Sequence, residues 1–286
     1  MKTSVTSYSF GGYIAEDRLG YLGLINKAKE MGFEGIEYTD GGYMNEPESA
    51  KKIRERAAEQ GIEVVALAVG ANFIQGSGGN LKDEIARVCK IVDYAAEMGA
   101  KLMRHDVAYG FGGERKHTRG YDDALPRLAE GCREVTKYAE QKGVKTMTEN
   151  HGYFSQDAHR VEKLINTVGH DNFGALVDLG NFMCADEDPT LSVSIMAPYA
   201  FHVHAKDFTR YEYGSSPLSG SIATRGLAQI VPTVCGTGDV PLERCLAILK
   251  AVGYDGCVSI EYEGALDCIA ALTMGLSNLK KAFERI

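Results

Sequence analysis

Short strand-like runs alternate with longer helix-patterned stretches eight times along the 286 residues. The strand-like runs are apolar or of period 2, and they occupy 3–10, 33–38, 62–69, 101–107, 144–150, 172–178, 200–206 and 256–262. Between them, Asp17 is placed to cap a helix whose face is Leu19, Leu22, Ile25, Ala28 and Lys29, closed by Gly32. Pro47 suits the first turn of a helix ending at Gly61. Further helices are expected over 81–98, 121–142, 155–168, 189–197, 241–252 and 266–284, and a Ser/Gly-rich loop over 209–239. Strict alternation argues for βαβ units and a parallel sheet, in the α/β class. Eight repeats favour closure into a (β/α)8 barrel, which takes about 250 residues. A single barrel domain over 1–286 is the expectation.

Composition narrows the function classes. The net charge is -8 and no basic block is sustained, so a nucleic-acid partner is not expected. Seven cysteines without a CxxC pair point to a reduced set rather than a disulfide framework or zinc module. The opening MKTSVTSYSF has no apolar signal core, and no run reaches the roughly 18 apolar residues of a membrane span. A cytoplasmic protein with no membrane partner is expected. Neither a Gly-x-Gly-x-x-Gly after the first strand nor a Walker loop is present, which disfavours dinucleotides and nucleotides.

The chemistry gathers at strand ends. In FHVHAKD (201–207) apolar residues alternate with His202, His204 and Lys206, and the run closes on Asp207. Glu149, Asp178 and Glu261 end three other runs in the same way. Any one strand-end carboxylate is usually a helix cap or a solvated loop residue. Four polar groups on consecutive strands, roughly 5 Å apart, can instead surround one ion at the barrel mouth. Three carboxylates and an imidazole suit Mn²⁺ or Mg²⁺, with Zn²⁺ or Co²⁺ as alternatives.

Five ordered motifs carry a wider resemblance: Val144–His151, Asp178–Asn181, His202–Asp207, Gly236–Pro241 and Tyr254–Glu261. With them the chain resembles the xylose isomerase-like sugar phosphate isomerase/epimerase superfamily, whose fold is a TIM barrel. The resemblance implies one divalent metal held by Glu149, Asp178, His204 and Glu261, with Glu149 and Glu261 as the catalytic acid/base pair. It implies a sugar-like small-molecule substrate that reacts through a metal-stabilised enediolate, by isomerisation or epimerisation. It also implies association into homo-oligomers. Arg210, six residues past His204, occupies the position of a substrate-contacting arginine in ketose 3-epimerases. Two departures point elsewhere, because a second glutamate of those enzymes is here Ser155 and a histidine is here Asn181. They count against a free-ketose epimerase and leave room for the alternative, a lyase or dehydratase acting on a keto-sugar, inosose, oxidised glycoside or keto-acid through the same intermediate. An apurinic-site endonuclease and a non-catalytic sugar-binding subunit are the remaining options, and the acidic charge disfavours the first.

Secondary candidates for substrate contact are Asn181, Lys206, Asp207, Arg210, His151, His105 with Asp106, and Glu37. His202 is expected to support a ligand rather than to be one. Aromatic residues of the loops, namely Phe10, Tyr13, Phe73, Phe111 and Tyr153, are candidates to wall the pocket. The basic loop Arg115–Arg119 reads as solvated.

Overall fold

The computed structural model describes residues 1–15, 19–113, 119–215 and 220–286. The expected cap Asp17 and the loop residues Arg115, Lys116 and His117 lie outside them. The strands are β1 (Lys2–Thr6), β2 (Gly35–Thr39), β3 (Glu63–Val69), β4 (Leu102–His105), β5 (Lys145–Glu149), β6 (Phe173–Asp178), β7 (Ala200–Ala205), β8 (Asp207–Tyr211), β9 (Ile222–Ala223), β10 (Gln229–Thr233) and β11 (Cys257–Ile260). Eight of them, β1 to β7 and β11, form a closed parallel barrel in which β1 joins β11 and β2. Helices connect the strands, so the fold is a single (β/α)8 barrel.

The local reasons are legible. Asn80 Oδ1 accepts from the Lys82 and Asp83 amides to start helix Leu81–Met98, and Gly99 at φ 86 ends it. Asp157, Asp188 and Asp267 cap three more helices in the same way. The first strand stops at Thr6, short of the expected residue 10. There the Thr6 hydroxyl accepts from the Ser9 amide, which starts the 3₁₀ turn Ser7–Phe10. The expected helix 155–168 begins later, at Ala158, because Ser155 is held in a bridge to His151 and Asp157 serves as the cap.

The segment expected as a loop over 209–239 contains β8, β9 and β10, a three-stranded antiparallel sheet. Asp207 ties its two ends together. One of its oxygens accepts from the Gly236 and Gly238 amides at 2.9 and 2.8 Å, the other from Phe208 and Val240. A Cβ at Gly238 would sit 2.3 Å from Asp207 Oδ1, so the second glycine of the G-x-G motif is required by contact.

Two further buried contacts yield predictions. Gly131 lies inside helix Tyr121–Gln141, where a Cβ would meet the fully buried Phe73 ring at 2.6–2.9 Å. Gly131→Ala gains helix propensity but overlaps that ring. It is expected to lower stability by about 1–3 kcal/mol, read as a drop in the urea midpoint. A midpoint at or above the parent's would mean that the ring moves aside freely.

Buried Glu84 accepts from the Asn72 amide, the Ser77 hydroxyl and the Arg87 guanidinium, and so pins the 72–77 loop. Burial pushes its pKa up, but these donors hold it at about 2, against 4.5 for a free carboxyl. A depressed carboxyl adds stability above its unfolded pKa and loses it as pH falls through the folded value. Glu84→Gln is therefore expected to melt below the parent at neutral pH, with the gap closing between pH 4.5 and about 2. A gap independent of pH would show that the carboxylate charge contributes nothing.

Candidate active site and metal centre

The barrel interior is polar over its upper half, and side-chain alternation sets its layers. The lower layer contains Ser4 and Ser259, joined at 2.7 Å, together with His202 and Glu37. Above it stand Arg104, Glu149, Asp178, His204 and Glu261, and Lys206 lies at the rim. Glu149, Asp178, His204 and Glu261 each offer one donor atom within 4.8 Å of the others. His204 Nδ1 lies 3.7 Å from Glu149 Oε1, 3.7 Å from Asp178 Oδ2 and 3.4 Å from Glu261 Oε2.

Each member is aimed by a neighbour. Asp178 Oδ1 accepts from the Gly180 and Asn181 amides, both at 2.8 Å, while its buried Oδ2 has no hydrogen-bond partner. This explains the small residue in the D-x-G-N motif: a Cβ at Gly180 would lie 2.8 Å from the Lys206 carbonyl oxygen. The Asn150 side chain bridges both ways to the Asp178 backbone at 2.9 Å and locks the end of β5 to that of β6. Glu37 Oε2 holds His204 Nε2 at 2.8 Å and His202 Nε2 at 2.9 Å, which turns His204 Nδ1 toward the carboxylates. That Nδ1 is buried and has no hydrogen-bond partner either. Two orphaned buried donor atoms facing two further carboxylates fit a divalent ion. Ligand atoms around a small divalent ion stand about 3–3.4 Å apart, close to these spacings.

The electrostatics separate the two glutamates. Glu149 is buried, which raises its pKa despite Arg104, whose guanidinium lies 2.6 Å from Glu149 Oε2. Burial acts on Glu261 in the same direction, but the Lys206 ammonium at 2.6 Å and His204 hold it well below the usual carboxylate range. Glu37 is also depressed, because its two histidine partners overcome the burial cost.

The secondary candidates divide. Asn181 Nδ2 donates to Glu149 Oε1 at 2.9 Å, and Lys206 Nζ reaches Asp178 and Glu263 as well as Glu261. His151 Nδ1 pairs with Asp106 Oδ1 at 3.0 Å, and both line the cavity of about 400 Å³ over the cluster. Four candidates stand elsewhere. Glu37 is fully buried below the cluster, in contact with His202 and His204. His105 points away from the barrel axis, packed between Phe73 and Phe173, and burial pushes its pKa down to about 4. Asp207 spends both oxygens on backbone amides. Arg210 pairs with Asp186 and Glu212 on the small sheet.

The aromatic wall also differs from expectation. Phe10 and Phe73 are core residues, Phe111 packs on Phe154, and the Tyr153 hydroxyl donates to the Ala223 carbonyl. Tyr8 and Tyr109 line the cavity instead. Arg104 is the largest omission of the sequence reading. It braces Glu149 and Asp106 together, yet nothing in LMRH distinguishes it from an outward-facing strand arginine.

The model of the "Xylose isomerase-like TIM barrel" family matches residues 25–281. An inosose dehydratase of Mesomycoplasma hyopneumoniae (strain 7448) is 22% identical over 263 residues, covering 88% of this chain and 83% of that one. The D-psicose 3-epimerase of Clostridium cellulolyticum H10, solved with D-tagatose, superimposes with a TM-score of 0.75 at 16% identity, covering 99% of both chains. A xylose isomerase-like TIM barrel protein of Mycobacterium smegmatis, solved in complex with magnesium, superimposes at 0.70 with 17% identity over 98% of this chain and 97% of that one. With the family model spanning nearly the whole barrel, the chain belongs to the xylose isomerase-like TIM barrel family.

Proposed function

We propose that the protein is a divalent-metal-dependent enzyme that removes a proton from the carbon beside the carbonyl of a keto-sugar or keto-cyclitol. The observation that carries this reading is the convergence of Glu149, Asp178, His204 and Glu261 at the mouth of one cavity, with two orphaned donor atoms facing inward. Those four residues would hold the ion, Mn²⁺ or Mg²⁺ by their hard donor set. When bound, the ion supplies positive charge beside the carbonyl oxygen, where charge builds as the neighbouring proton leaves. Glu149 and Glu261 flank that position and exchange the proton. Arg104 and Asn181 orient Glu149, and His151 with Asp106 borders the open side of the cavity.

Two outcomes share this first step. Return of the proton gives epimerisation or isomerisation, and the facing pair of glutamates supports it. Loss of a hydroxyl one carbon further on gives a dehydrated, conjugated ketone. Lys206 favours the second outcome, because it is a buried ammonium at the cavity rim that can protonate a departing hydroxide. Arg210 turned away on the small sheet and Ser155 bonded to the Tyr121 hydroxyl weaken the case for free ketoses. The inosose dehydratase relatives are in keeping with elimination.

The test is incubation of the Mn²⁺-supplemented protein in D₂O with an inosose and, separately, a ketohexose. Ultraviolet absorbance and proton NMR follow each mixture. A conjugated product from the inosose is expected. Deuterium exchange with mass conserved would select the epimerase reading, and no exchange on any keto-substrate would refute the proposal.

A further inference from the structure

The two cations of the site hold their glutamates differently. Arg104 takes Glu149 by Oε2 at 2.6 Å and leaves Oε1, the oxygen 3.7 Å from His204 Nδ1, without a cation. Lys206 takes Glu261 by Oε2 at 2.6 Å, and this is the same oxygen that stands 3.4 Å from His204 Nδ1. The Lys206 ammonium also lies 3.6 Å from Asp178 Oδ2, the buried atom with no hydrogen-bond partner. Arg104 therefore braces the cluster from behind, whereas Lys206 stands on two of its inward-facing oxygens.

Lys206 is buried, so water and salt screen its charge little. A carboxylate oxygen shared with an ammonium has less to offer a second cation, and the two positive charges repel each other. Lys206 also has another partner within reach. Glu263, two residues past Glu261, places Oε2 3.3 Å from the ammonium, and Asn181 Oδ1 accepts from it at 3.4 Å. Glu263 lines the cavity and lies outside the cluster of four. A lysine ammonium on its flexible four-carbon stem can exchange one neighbouring carboxylate for the other by rotation of the side chain.

We infer that Glu263 is a positioning residue that draws the Lys206 ammonium off Glu261 and Asp178, and so frees those two oxygens for a divalent ion. This rests on the metal centre of the proposed function. Lys206 then has two positions. It bridges Glu261 and Asp178 when they hold no ion, and it sits on Glu263 when they do. Affinity for the ion is set by the balance between the two.

The test is Mn²⁺ affinity by titration calorimetry, with no substrate present, for the parent, Lys206→Met, Glu263→Gln and the double variant. Lys206→Met is expected to bind Mn²⁺ about 10–100-fold more tightly than the parent, and Glu263→Gln about tenfold more weakly. Lys206→Gln, which keeps a donor for Glu261 without the charge, should tighten binding too, and replaces the methionine variant if that one does not fold. Loss of a negative charge at 263 weakens cation binding through space in any case, so the double variant decides. Once the ammonium is gone, Glu263→Gln is expected to change affinity by less than about twofold. Equal or weaker binding by the Lys206 variant, or a Glu263→Gln loss that persists in the double variant, would overturn the inference and leave the metal centre standing. No Mn²⁺ binding by any of the proteins would remove the metal centre, and the roles of Lys206 and Glu263 with it.

Discussion

Glu149→Gln is expected to lower turnover by about 10³-fold, within the 10²–10⁴ range of a lost proton carrier. The substitution keeps the shape of the side chain and its contact with Asn181, so the barrel should hold. What it removes is an oxygen basic enough to take a proton, and the anionic partner 2.6 Å from the buried Arg104 guanidinium. Arg104 keeps Asp106 at 2.9 Å, so its charge is not left alone. A thousandfold loss is about 4 kcal/mol of transition-state stabilisation. It should appear in turnover with KM little changed, because the proton is transferred in the reaction and not on binding. The check is steady-state kinetics beside a circular dichroism melt. Turnover within tenfold of the parent would remove Glu149 from the proton path and leave it as a ligand.

His204→Ala is the second large effect. It deletes the nitrogen that faces Glu149, Asp178 and Glu261 and also the imidazole that Glu37 positions. After dialysis against Mn²⁺ the parent is expected to retain about one ion per chain, and the variant almost none. A ligand that binds the folded state alone stabilises it, by about 2.7 kcal/mol at a hundred times Kd. Added Mn²⁺ should therefore raise the parent's melting temperature and leave the variant's unchanged. Glu37→Gln keeps all four donor residues and loosens only the hold on His204, so its ion affinity should drop by 10–100-fold. If the parent binds neither Mn²⁺, Mg²⁺ nor Zn²⁺, the proposed chemistry falls whatever the variants do.

The cluster of Glu149, Asp178, His204 and Glu261 was more legible in the sequence than its surroundings, and the reason is geometric. A strand run that ends in a carboxylate or imidazole marks its direction and a candidate position at the barrel mouth. The period-2 pattern of 201–207 was therefore enough to put His202, His204 and Lys206 on one face. How deep an inward residue sits is a different question. Glu37 ends its strand run as Glu149 does, yet it lies a layer lower and supports His204 from below. Its depth follows from the stagger of the strands and from the register shift between Ile36 and Glu37 against β3, which no single strand encodes. His105 and Arg104 are adjacent, and alternation alone left open which of them faces inward. Packing decided it: the His105 ring fits between Phe73 and Phe173, and Arg104 then meets Glu149.

Arg210 and Asp207 show the limit of reading positions by offset. Both stand at the spacing of the family motif, but β8 turns out of the barrel into an antiparallel sheet. Arg210 leaves with it to pair with Asp186, and Asp207 stays behind as the clamp on Gly236 and Gly238. By itself the sequence determined the eightfold alternation, the barrel and the four polar strand ends Glu149, Asp178, His204 and Glu261, because those follow from local periodicity and from the residue at each turn. Tertiary structure alone decided which polar groups surround Glu149, Asp178, His204 and Glu261, and where Arg104 reaches. Those facts depend on the register and closure of the sheet, which bring residues far apart in the chain to one point.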